Sequence, residues 1–145
     1  MVWQDFKQKV FRFAILKHVR ETDIHWDLLL QLPDRPLLAT WQIRLDPVRW
    51  EHENGPIPAL ELPDHRLVYL DFQGDISGGR GHVSHIDGGK IEIARGEKNI
   101  ITCFLRGQLL HGSTSLKRMM VEGETSSRQW ELTFNASPGC LPVEG

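Results

Sequence analysis

Short apolar runs alternate along the chain with turns built from glycine, proline and charged residues, and no segment sustains the 3.6-residue repeat of an amphipathic helix. Residues 10–18 (VFRFAILKH) and 24–32 (IHWDLLLQL) are rich in β-branched, aromatic and leucine side chains and are split by the polar VRETD. After the turn PDRP at 33–36, LLATWQIR at 37–44 forms a third candidate strand. A proline-bearing loop runs from Asp46 to about Pro58, and further strands are expected at 66–73, 81–86, 90–95, 99–106, 113–121 and 128–134. The intervening turns carry SGGRG, DGGK, RGEKN, RGQ and EGETSS. This pattern predicts an all-β domain spanning 1–145, a compact antiparallel β-barrel of about eight strands with little helix. A short helix is expected near Val2–Lys9, and a frayed tail after Phe134.

Composition narrows the function classes. The 145 residues carry 17 basic and 19 acidic side chains, a net charge of −2. That excludes a charge-driven nucleic-acid coat but leaves room for a local grip on one short piece of nucleic acid. Cys103 and Cys140 provide neither a disulfide framework nor the paired spacing of a zinc site, so reduced thiols in a cytoplasmic protein are expected. No stretch approaches the ~18–20 apolar residues of a membrane span. The charged MVWQDFKQKVFRF start does not read as a signal peptide.

The densest candidate chemistry lies in KHVRETDIHWD. On a strand, His25, Asp27, Leu29 and Gln31 share one face, while Trp26, Leu28, Leu30 and Leu32 share the other and should meet the core. His25 and Asp27 stand roughly 6–7 Å apart at the backbone, within reach of a single cation. His18, at the end of the preceding strand, would complete a two-histidine, one-carboxylate metal triad. By itself a His-x-Asp pair is a common chance occurrence. In DHRLVYLDFQG, His65 and Tyr69 would share a face, a pairing suited to acid–base or phosphate-contacting work and equally to an ordinary strand entry. The glycines of SGGRGHVSH could let backbone amides and Arg80 approach an anion, with His82 and His85 at the flank, or form a plain flexible hairpin. His52 and His111 read as solvated loop residues, Cys103 as packing, and Trp41 and Trp130 as core aromatics.

Taken in order, FAILKH, IHWDLLLQL, TWQI (40–43), DHRLVYLDFQG (64–74), LRGQLLHGSTSLKRM (105–119) and WELTF (130–134) make the chain resemble the 3′-phosphoesterase domain of bacterial and archaeal DNA ligase D, which also occurs as a free-standing protein. The resemblance implies a compact barrel with Mn²⁺ on His18, His25 and Asp27, and with His65 and Tyr69 at the scissile phosphate. It implies removal of a terminal ribonucleoside and then a 3′-phosphate from DNA or RNA-tailed DNA ends, to leave a 3′-hydroxyl. Repair ligases and polymerases would be its partners, and no membrane is involved; a monomer is expected. Leu29 and Ile57 stand where the family carries phosphate-directed arginines, and the His18–His25 spacing is one residue longer than usual. Arg44 and Arg80 are candidates to compensate, with His82 as a further phosphate contact, and Leu29→Arg is expected to strengthen phosphate binding.

Two other classes fit these residues. One is a catalytically silent module that binds metal or nucleic-acid ends. The other is a non-haem Fe(II) oxygenase, whose distal histidine would be His82, His85 or His111.

Overall fold

A computed structural model describes residues 10–123 and 127–137. The helix expected near Val2–Lys9, Cys140 and the tail from 138 onward lie outside the described residues. The strands are β1 (Phe11–Arg20), β2 (Asp23–Gln31), β3 (Leu38–Ile43), β4 (Ile57–His65), β5 (Gly74–Asp75), β6 (His82–Gly96), β7 (Ile100–Arg106), β8 (His111–Arg118) and β9 (Gln129–Ala136). Among the described residues they form one antiparallel sheet in the order β1-β2-β3-β4-β9-β8-β7-β6-β5. Pairing of β1 with β6 closes eight of the nine strands into a ring, leaving β5 attached outside it. The all-β, antiparallel expectation therefore holds.

Alternation along β2 sorts its side chains as the sequence pattern requires. Trp26, Leu28, Leu30 and Leu32 join Phe13, Ile15, Trp41, Ile43, Leu105, Leu116, Trp130 and Leu132 in the main core. Trp41 and Trp130 meet edge to face with centroids 5.3 Å apart, as core aromatics. On the opposite face Leu29 packs with Ala14, Leu16, Leu38, Leu70 and Val83 in a second, smaller cluster. A cover segment supplies Leu70 to this cluster, together with the half-buried Tyr69, Phe72 and Ile76.

Four expectations needed correction. Residues 66–73 do not form a strand: Leu67–Leu70 is a short 3₁₀ helix that caps the outer cluster, because its apolar side chains seal a surface instead of alternating between two. The strand that pairs with β3 is β4, which begins inside the assigned proline loop; Pro58 is tolerated there on an exposed position. The expected strands at 81–86 and 90–95 are one long strand, β6, and DGGK is not a turn. A Cβ on Gly89 would lie 2.2 Å from the Arg106 carbonyl oxygen, so this glycine serves close backbone approach inside the sheet. Asp87 beside it accepts the backbone N–H groups of Gln108, Leu109 and Leu110, tying the β7–β8 turn to β6. At the other end, Asn135 and Ala136 pair with β8 and belong to β9, so ordered strand extends past Phe134.

Candidate metal centre

β1 and β2 form a tight hairpin in which His18 lies directly opposite His25. Opposite residues of an antiparallel pair share a face, so both imidazoles project outward beside Asp27. One ligand atom from each of His18, His25 and Asp27 lies within 4.8 Å of the others, the only such group of three among the described residues. The rings of His18 and His25 meet edge to face at 4.9 Å.

The hydrogen bonds fix how these rings are presented. The His18 Nε2–H donates to the carbonyl oxygen of Arg80 at 2.7 Å, which leaves the Nδ1 lone pair free. The His25 Nδ1–H faces the Asp23 carboxylate at 3.3 Å, which leaves Nε2 toward Asp27 Oδ1 at 3.4 Å. Metal-binding histidines commonly hold their second nitrogen in this manner, on a carbonyl or a carboxylate. Asp27 is buried, and its Oδ1 has no hydrogen-bond partner. Asp27 Oδ1 and His25 Nε2 face one another without a well-formed hydrogen bond, an arrangement that a shared cation or a proton would satisfy. Burial holds the Asp27 carboxyl above the usual carboxylate range, opposed in decreasing order by His25, His65 and His18. The donor set of two imidazoles and one carboxylate suits a divalent transition metal.

His65 reaches the same site through an irregularity in β4. Thr40 pairs with Leu62, but two residues further along β3 Leu38 pairs with His65, so β4 carries one extra residue there. Without that bulge Asp64 would oppose Leu38; with it His65 takes the outer face shared with Asp27. Its Nδ1–H donates to the Pro63 carbonyl at 2.9 Å, leaving Nε2 with a free lone pair. Tyr69 from the cover segment stacks edge to face on His65 at 5.7 Å.

The remaining sequence candidates divide. Arg44 binds Asp23 at 2.6 Å, so it reaches the site indirectly, through the carboxylate that orients His25. It is the main cause of a carboxyl at Asp23 held below its usual range, followed by His25. Arg80 contributes its backbone carbonyl to His18, while its guanidinium turns back onto Ser77, donating to the carbonyl at 2.8 Å. The expectation that the Arg80 side chain faces an anion is therefore not met in this conformation. His82 pairs with the exposed Asp75 at 2.9 Å and stands outside the three-ligand cluster. His85 is occupied by the Leu70 carbonyl, and helps to hold the cover segment down. His111 is not solvated as expected: its ring packs on Phe104 and its Nδ1 is buried without a partner. Burial pushes the Cys103 thiol up to about 12, in keeping with a packing role.

Leu29 and Ile57, the two apolar positions singled out in the sequence, are apolar for structural reasons. Leu29 is fully buried under the cover segment. Ile57 faces the main core, so its position would not aim a side chain at the metal ligands. An arginine at 29 would have to displace Leu70 and Tyr69, which overturns the simple expectation that Leu29→Arg strengthens phosphate binding.

Sequence reasoning missed Asp23 and the role of Gly81. Asp23 is two residues before His25 on the same face, the same signal that drew attention to Asp27. Gly81 has φ +102°, and a Cβ there would lie 2.3 Å from the Val19 carbonyl oxygen and 3.1 Å from His18 Nε2. Only glycine lets the loop bring the Arg80 carbonyl down onto His18. The chain matches no protein-family model and no curated protein sequence. No helix among the described residues is long and apolar enough to cross a membrane.

Proposed function

We propose that this protein is a Mn²⁺-dependent phosphoesterase that trims nucleic-acid 3′ ends, with His18, His25 and Asp27 as metal ligands. The observation that carries the reading is the buried, unpartnered Asp27 Oδ1 facing two histidines whose other nitrogens are already engaged. A divalent ion held there would neutralise charge developing on a phosphate oxygen. His18 and His25 offer ring nitrogens oriented by the Arg80 carbonyl and by Asp23. His65 offers an Nε2 lone pair that can take up a proton from water or, once protonated, donate one to the leaving oxygen. Tyr69 fixes the His65 ring from the side. A cytoplasmic setting among repair ligases and polymerases accompanies this reading, as does a monomeric state.

The decisive assay is phosphate release from a 3′-phosphorylated primer–template with Mn²⁺ and with EDTA. Metal-dependent release that disappears in His25→Ala and His65→Ala is expected; no turnover at high protein concentration would refute the activity. A second reading, a silent module that binds metal and nucleic-acid ends, is favoured by Leu29 being buried where the family presents arginine. It predicts Mn²⁺-dependent binding of such ends without product. The oxygenase alternative loses ground, since the clustered third ligand is His18 and not His82, His85 or His111.

A further inference from the structure

Beside the metal centre the outer face of the sheet is hollowed into a groove of 560 Å³ lined by Gln42, Arg44, Pro58, Leu60, Met119 and Gln129, among others. Strand register ties it to the site. Asp27 pairs with Gln42, Gln42 with Leu60, and Leu60 with Gln129, so one cross-strand row leads from the metal ligand along the floor of the groove. Successive strands are spaced about 4.8 Å apart, which places Leu60 roughly 10 Å from Asp27. Arg44 joins the two from the other side, since it lines the groove and binds the Asp23 carboxylate that orients His25.

We propose that this groove is the subsite for the terminal nucleoside, the sugar and base that carry the 3′-phosphate. The inference rests on the phosphoesterase reading and adds to it where the substrate lies. A phosphate at the metal has its nucleoside as the nearest attached group, and this groove is the concavity that the cross-strand row from Asp27 enters. Its volume falls within the range of small-ligand sites. Pro58, Leu60 and Met119 offer apolar surface to the face of a base, and methionine sulfur packs well on aromatic rings. Gln42 and Gln129, on either side of Leu60 in the row, supply amides that can donate to and accept from base edges. Among the described residues no second cationic side chain lines the groove beside Arg44, so it suits one nucleoside and not a long phosphate backbone.

The test is fluorescence anisotropy with Mn²⁺ and a 5′-labelled oligonucleotide ending in a non-hydrolysable 3′-phosphonate, alongside the same strand with an abasic terminal residue. Wild-type protein is expected to bind the abasic strand roughly tenfold more weakly, as lost base contacts imply. Leu60→Glu is expected to weaken the complete strand similarly, with no further loss on the abasic one, and with Mn²⁺ affinity unchanged. Met119→Glu, at an already exposed position, provides a second variant with little risk to folding and should act in the same direction. Metal-dependent binding that ignores both the base and the two substitutions would overturn the subsite while leaving the phosphoesterase reading intact. Failure of a Mn²⁺-loaded wild-type protein to bind either strand would overturn both.

Discussion

Leu28 and Leu29 are neighbours in β2 and both fully inaccessible, yet they belong to differently built regions. Leu28 lies inside the closed ring, whose contents are mainly apolar side chains. Leu29 lies outside it, under the cover segment around the 3₁₀ helix, one turn of the pleat from Asp27 and two from His25. The inner region is packed chiefly by large apolar side chains. The outer one buries a carboxylate and an imidazole at the edge of a modest apolar cluster, a combination that could hold a metal ion. A fully solvated pair would hold a cation weakly, and a fully enclosed one would admit no substrate.

Truncating the two leucines separates these regions most strongly. Leu28→Ala should cost about 4 kcal/mol in urea unfolding, because the closed ring cannot collapse around the cavity. Leu29→Ala should cost about 2–3 kcal/mol, since the cover segment can settle inward. Only the second should also weaken Mn²⁺ binding. Equal costs, or a metal defect in Leu28→Ala, would break the distinction.

Asp27→Asn comes next. With Mn²⁺ at a hundredfold excess over its dissociation constant, the wild type should gain about 2.7 kcal/mol of stability, and the variant none. Without metal the variant should be at least as stable as wild type at neutral pH, because burial disfavours the Asp27 carboxylate. Thermal melts with and without Mn²⁺ measure both effects. A variant that is strongly destabilised without metal would show that Asp27 serves the fold.

Asp23→Asn tests the orientation of His25, and should weaken Mn²⁺ binding by about 10–100-fold while the fold stays intact, as read by isothermal titration. The smallest effect is expected from Arg12→Gln, which removes the ion pair to Asp71 at the end of the 3₁₀ helix in the cover segment. Arg12 holds the Asp71 carboxyl below its usual range. The folded state therefore binds that proton less readily than the unfolded chain, and the pair's stabilisation is present above the ordinary carboxylate pKa. It is lost as pH falls through the lowered value. The small difference in melting temperature between wild type and Arg12→Gln should be visible at neutral pH and vanish in strong acid. A difference that grows on acidification would contradict the assignment.

The β-rich class, the antiparallel hairpin and the inward face of β2 were legible in the sequence because strict alternation reports burial on one side. The grouping of His18, His25 and Asp27 was legible for the same reason, since a short connection puts facing residues of a hairpin in register. The cover segment was not. LVYL has strand-like composition, and only the tertiary surface beneath it decides that it coils into a 3₁₀ turn over Leu29. Nor could the sequence show the extra residue in β4 that turns His65 toward the site, because a bulge changes register without changing composition. The carbonyl that orients His18 was hidden because it belongs to a backbone, and any residue at 80 would supply it.

The central claim is that one divalent ion sits on the outer face of the β1–β2 hairpin, held by His18, His25 and Asp27. Electron paramagnetic resonance titration of Mn²⁺ measures this directly, by counting ions withdrawn from the free signal. One ion per chain for the wild type is expected, with tight binding lost in His18→Ala, His25→Ala and Asp27→Asn. No bound ion in the wild type, or undiminished binding in all three variants, would contradict it.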